Sequence, residues 1–293
     1  MPGVTDGRRP VQPLRYGSMA GLILLALAPG RAPHAQARPL WEAGIGIAAL
    51  RLPDYRGSDQ ARNYLLPFPY LIYRGRILKV DRKGVRGQLL HTDRVTSDVS
   101  LSAAVPVYSQ RSDARQGMPD LEPTLEIGPS LSVLLARDET VHRSLTLNLP
   151  LRAVIATNFR HVHGEGWVFS PNLNLDQAHI GPGRAWNLGI SIGPLFADRK
   201  YHAYYYTVAP AYATAARPAY AAPGGYSGSR LTLALSRRYR DLWFGAFLRY
   251  DDLAGAAFEN SPLVKQKYSL MAGFGVAWIF ARSATLVERR DHE

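Results

Sequence analysis

The sequence predicts an all-β protein, a closed antiparallel transmembrane barrel of about twelve strands, ten being the alternative, behind a cleaved signal peptide. Three observations lead there. The first 37 residues have the layout of an export signal. The rest of the chain alternates apolar and polar residues with a period of two, in runs longer than soluble strands need. The face opposite the apolar one carries Gly, Ser, Asn and Thr, not the Lys and Glu of a solvent-washed sheet.

The signal segment comes first. Arg8, Arg9 and Arg15 make a basic region, Met19 to Ala28 an apolar stretch too short to span a bilayer, and Ala35-Gln36-Ala37 a small-x-small cleavage pattern. Cleavage is expected between Ala37 and Arg38. The expected organisation is a signal peptide over 1–37, a barrel over 38–280 and a short charged tail over 281–293. Without the leader, Lys+Arg fall from 35 to 31 and Asp+Glu from 23 to 22, a net charge of +9. The 293-residue chain has no cysteine, which excludes disulfides and thiolate metal sites. No apolar run beyond the leader is long enough for a membrane helix.

The alternation is plainest in the middle and end of the chain. Leu125, Ile127, Leu131 and Val133 share one parity against Glu126, Ser130 and Ser132. Leu145, Leu147, Leu149 and Leu151 alternate with Ser144, Thr146, Asn148 and Arg152. Leu173 and Leu175 alternate with Asn172, Asn174 and Asp176, and Leu231 and Leu233 with Thr232. In the last run Tyr268, Leu270, Phe274, Val276, Trp278 and Phe280 alternate with Ser269, Gly273 and Gly275, with aromatics at both ends where interfacial girdles lie. Strands are expected at 40–50, 65–74, 76–90, 96–107, 122–136, 141–157, 166–177, 185–197, 202–212, 226–238, 241–251 and 267–280. Loops are expected at 51–64, 108–121, 158–165, 213–225 and 252–266. In lipid every backbone polar group must be paired, so the sheet must close.

Five segments resemble the MipA/OmpV family. They are Pro53 to Asp59 (including Tyr55, Gly57 and Ser58) with Leu66 to Tyr70; Met118-Pro119-Asp120 leading into Thr124 to Pro129; Tyr204 to Val208; Pro218 to Tyr226, with Tyr220, Gly224 and Gly225; and Asn260 to Val264, with Ser261 and Pro262. They occur in order along the chain. The resemblance implies a Gram-negative outer-membrane barrel without catalytic residues. It also implies a scaffolding role linking murein-degrading and murein-synthesising enzymes, since the family is named after such a member; other members are described as porin-like or adhesive. One departure concerns the terminus: barrels of this kind usually stop at the last aromatic, whereas Phe280 is followed by thirteen residues.

Candidate chemistry is sparse. His161 and His163 sit in a loop without a third ligand, and Ser170, Asp176 and His179 lack a nucleophile elbow, so a lipase or esterase is the remote alternative. No metal or cofactor is expected. Glu126, Arg152 and Asp176, and with them Arg249, are the candidate lumenal charges, either pairing with one another or lining a narrow porin-like channel. The positive balance suits lipopolysaccharide phosphates better than nucleic acid, because the arginines are scattered through an exported chain.

Overall fold

The computed structural model describes residues 38–74, 78–81, 84–87, 90–158 and 160–287. The signal segment, Ala37 and the last six residues of the tail lie outside the described residues. The strands are β1 (Arg38–Pro39), β2 (Trp41–Pro53), β3 (Ala61–Arg74), β4 (Leu78–Asp81), β5 (Gly84–Gly87), β6 (Leu90–His91), β7 (Val95–Ala104), β8 (Thr124–Asp138) and β9 (Arg143–Thr157). Then follow β10 (Val162–Phe169), β11 (Asn172–Ile180), β12 (Trp186–Ala197), β13 (Gly225–Tyr239), β14 (Leu242–Asp252), β15 (Tyr268–Arg282) and β16 (Leu286–Val287). One α-helix, α1 (Arg199–Tyr206), precedes β13.

All pairings are antiparallel, and long neighbours in sequence are neighbours in the sheet. The exception is informative: β15 pairs with β2, joining the end of the chain to its beginning. At the other side β5 lies alongside β7, so the path of the sheet comes round on itself. Strands β10 and β11 both lie between β9 and β12 and act as one course broken at Ser170-Pro171, where proline removes a ladder donor. Counted that way, the described residues contain ten long courses, the alternative count.

Two expected strands are corrected. The interval 76–90 is no single strand: its described residues form the short hairpin β4–β5 and the first residue of β6, where the sequence carries Asp81-Arg82-Lys83-Gly84. The interval 202–212 is not a strand but α1 and a 3-10 turn. Asp198 caps the helix by accepting from the Tyr201 N–H at 2.9 Å, and His202 and Tyr206, four apart, fall on one buried face. A run of tyrosines reads as strand by propensity; the cap and the helical spacing decide otherwise.

The polarity of the wall is inverted relative to a soluble protein. Ile45, Ile47, Leu131, Leu151, Ile192, Leu270 and Phe274 stand exposed on the outer face, while Glu42, Asp98, Ser130, Arg152, Asp251 and Ser269 are buried on the inner one. This is the arrangement lipid outside and a polar interior demand. Aromatics mark the rims: Tyr250 stacks on Tyr268 at 6.2 Å, Trp278 meets Phe280 at 5.6 Å, and Arg237 lies over Trp186. Beyond Phe280 the last strand continues to Arg282, and Leu286–Val287 pairs with Arg38–Pro39.

The interior has two unlike walls. On β8, β9, β11 and β12 a lateral hydrogen-bonded row runs from Ser132 to Asn148 (2.9 Å), from Asn148 to Asn172 (3.1 Å), and from Ser191 to Asn172 (3.1 Å). On β3 and β14, Phe68 and Tyr70 project inward against Trp243, their ring centroids 6.3 and 5.8 Å from its own. Glycine on the facing strands makes the room: a Cβ at Gly46 would lie 2.4 Å from the Phe68 ring, and one at Gly273 2.4 Å from Phe247.

Candidate functional site

Strand direction sorts the connections. Turns 139–142, 181–185 and 240–241, and the segment between β3 and β7 that carries β4, β5 and β6, lie at the end of the sheet that carries the chain termini; connections 54–60, 105–123, 158–161, 198–224 and 253–267 lie at the opposite end. Four of these long connections build a core of their own from Tyr55, Val107, Leu121, Tyr206, Val208, Leu253, Phe258 and Leu263. Tyr206 stacks face to face on Phe258 at 3.6 Å, and Tyr55 meets Tyr206 edge-on at 6.3 Å. Burying Leu253, Phe258 and Leu263 completely contributes about 1.5–3 kcal/mol each. The result is a packed cap.

Backbone groups in irregular connections need partners when buried, and side chains of neighbouring connections supply them. The Tyr55 hydroxyl donates to Leu263 O at 2.8 Å, the Tyr206 hydroxyl to Arg56 O at 3.0 Å, and Ser261 Oγ to Tyr206 O at 2.7 Å. Arg115 donates to Tyr205 O and Pro119 O, both at 3.1 Å, and Arg217 to Ala114 O at 3.0 Å and Gln116 O at 2.9 Å. At Gly57, φ of +90° turns the carbonyl toward the N–H groups of Lys265 and Gln266, while its own N–H donates to Ser269 Oγ at 2.7 Å.

Many of the residues singled out by the family resemblance meet in or beside this cap, while Leu66 to Tyr70 lie along β3 and Thr124 to Pro129 along β8. Pro53 ends β2; Tyr55, Gly57 and Ser58 are buried in the first connection, and Asp59 is exposed at its edge. Tyr220 bridges to Val208, and its hydroxyl lies 3.5 Å from Ala257 O. A Cβ on Gly224 would fall 2.6 Å from the Arg199 backbone nitrogen, Gly225 has φ of +135°, and Tyr226 packs on Phe196. Ser261 and Pro262 belong to the connection that covers Tyr206. Sequence reading missed Arg115, Arg217, His202 and Phe258, whose only signal was that they sit in predicted loops or in the run mistaken for a strand.

Under the cap, Arg56 reaches the wall. It donates to Ser227 O at 2.6 Å and Ser227 Oγ at 3.1 Å and lies 3.2 Å from Asp251 Oδ1, which Arg230 also approaches at 2.7 Å. Further in, Arg152 pairs with Glu126 at 2.8 Å and donates to Ser100 and Ser170, and Asp176 accepts from Asn174 at 2.7 Å. Near the termini Glu42, 1% exposed, is gripped by Arg238 at 2.7 Å and Arg74 at 3.0 Å. Ser170 is thus occupied by Arg152, and His179 packs on His142, so the two do not form a hydrolase triad. His161 and His163 stack on each other, and no group of three metal-ligating residues occurs among the described residues.

Burial, with Arg56 adding to it, holds the His202 imidazole below its ordinary range; it is fully enclosed, its Nδ1 donates to Pro223 O at 2.6 Å, and its ring lies 4.7 Å from Phe258. The unfolded chain takes up this proton from about pH 6.5 downward and the cap only at lower pH. Between those values the unfolded state binds more protons, so stability falls as pH falls. The denaturation midpoint should therefore drop between about pH 7 and about pH 5, and drop less in His202→Gln.

An antiparallel wall with its apolar face outward, a polar interior and one capped end defines an outer-membrane β-barrel protein of a Gram-negative envelope. The sequence matches the family model described as MltA-interacting protein MipA over residues 45–280, and the chain belongs to that family. No curated protein matches it significantly. Among solved structures it is similar to a bacterial polysaccharide outer membrane secretin, at 9% identity and TM-score 0.42, over 82% of this chain and 99% of that one. It is also similar to a FadL homologue of Pseudomonas aeruginosa, at 10% identity and TM-score 0.29, over 74% and 61%. OprG from Pseudomonas aeruginosa is similar at 10% identity and TM-score 0.21, over 84% and 96%.

Proposed function

We propose that the protein is a non-enzymatic, closed scaffold barrel that holds murein-degrading and murein-synthesising enzymes at the outer membrane. The observation carrying this reading is the cap: four long connections pack into a core over one end of the sheet. The interior supports it, since Arg152 and Glu126 neutralise each other and Phe68, Tyr70 and Trp243 pack together on its inner face. A selective pore instead relies on a ring of like charge or an open constriction. Outer-membrane barrels have short turns on the periplasmic side, which puts turns 139–142, 181–185 and 240–241 and the terminal segments where a murein enzyme reaches them. The outward Arg237 and Arg240, beside Trp186 and Tyr239 at that same rim, meet phospholipid phosphates of the periplasmic leaflet.

The expected result in planar bilayers is no steady single-channel conductance, together with capture of a murein-modifying enzyme from cross-linked envelopes. A stable ion-selective conductance that changes in Arg152→Ala, with no such enzyme captured, would replace the scaffold by a narrow channel.

A further inference from the structure

Below the cap, two guanidinium groups share one carboxylate and a third stands on the same face of the wall. Arg56 and Arg230 both approach the same oxygen of Asp251, Oδ1, at 3.2 and 2.7 Å. Asp251 is completely buried. Arg249 projects from the same face of β14, two residues before Asp251; across the ladder Arg230 is opposite Asp251, and Thr232 is opposite Arg249. Arg230 and Arg249 are therefore diagonal neighbours, within the reach of long side chains.

Among the described residues Arg249 has no matching acid. The acids near it are Asp251 and Glu126, and these are engaged by Arg56 and Arg230 and by Arg152 respectively. Its Nη1 donates to the Met271 thioether at 3.8 Å, a weak acceptor, and its Nε is buried without a partner among the described residues. Among the described residues, Arg56, Arg230 and Arg249 against Asp251 leave two positive charges uncompensated on this face. A guanidinium presents N–H groups in a planar fork that matches a two-oxygen anion, and an unmatched one is costly where water is scarce.

We propose that the lumenal face formed by Arg249, Arg230 and Thr232, half-buried neighbours on β13 and β14, binds a small oxoanion carrying a carboxylate or phosphate group. Arg249 supplies the planar fork, Arg230 its free terminal nitrogens, and Thr232 a hydroxyl. Because Arg56 belongs to the same charge cluster and to the cap, the anion ties cap and wall together. This goes beyond the scaffold reading and stands or falls separately from it.

The test is thermal unfolding of the purified full-length barrel in a zwitterionic detergent, with inorganic phosphate, acetate or chloride added at constant ionic strength. Phosphate or acetate should raise the unfolding temperature saturably and chloride should not; the active anion identifies the group recognised. Arg249→Gln should weaken the apparent affinity at least tenfold, Arg249→Lys should weaken it less, and the exposed control Arg160→Gln should leave it unchanged. Without added anion, Arg249→Gln should unfold no lower than the parent, because it removes an uncompensated charge; a merely structural Arg249 would give a lower value. Equal responses to all three salts, or an undiminished phosphate or acetate response in Arg249→Gln, would overturn the proposal.

Discussion

Arg56→Ala is expected to loosen the cap by about 3 kcal/mol, because it leaves a buried carbonyl and a half-paired buried carboxylate behind. Arg56 is the one side chain that leaves the first connection and binds both Ser227 and Asp251 on the wall. Ser227 lies beside Gly228, whose φ of +89° lets β13 bulge where the guanidinium passes; a Cβ at Gly228 would come within 3.2 Å of Arg56 Nη2. A loss of that size raises the open fraction of the cap about 100-fold, at about 1.4 kcal/mol per factor of ten. Limited proteolysis of the folded barrel should show it as faster cleavage within 105–123 and 198–224, with the sheet itself intact. Unchanged cleavage in Arg56→Ala, relative to Arg160→Ala, would mean that the apolar core alone keeps the cap closed.

The second large effect is on the outer face. Leu147 stands mid-strand on β9 with Val133 of β8 and Leu173 of β11 at its sides, all on the apolar parity. Leu147→Arg places a charge against hydrocarbon and should cost about 2–4 kcal/mol of folding free energy into liposomes. Its neighbour Asn148 faces inward and joins Ser132 to Asn172. Asn148→Ser gives up part of that row in a polar interior and should cost about 1 kcal/mol. Urea titrations of both variants in the same lipid give the comparison; equal losses would mean that the two faces are not lipid and lumen.

Much of this was legible in the chain alone. Strand existence, parity and the side on which Ser130, Asn148 and Gly275 lie follow from alternation, because a strand turns successive side chains to opposite faces whatever its neighbours are. The tyrosine run at 201–206 was not legible: aromatic propensity favours a strand, while Asp198 as a cap and Phe258, more than fifty residues on, as a stacking partner select a helix. Parity assigned Glu126, Arg152 and Asp176 to one face and left mutual pairing as one of two readings, without saying which acid Arg152 would meet. Arg152 and Glu126 meet because β8 and β9 are adjacent in a particular register, whereas Arg249 stands apart because the acids near it are already engaged.

Local periodicity and composition thus determined the class of protein, its inverted polarity and most of its strands, since each rests on a repeat of two residues and on the chemistry of lipid. Only the tertiary structure decided that segments around 55, 118, 206, 222 and 262 form one cap, that β15 pairs with β2, and that two arginines share Asp251. Those outcomes depend on contacts between residues tens to hundreds of positions apart, where strand order and register set the distances and no local pattern carries the information.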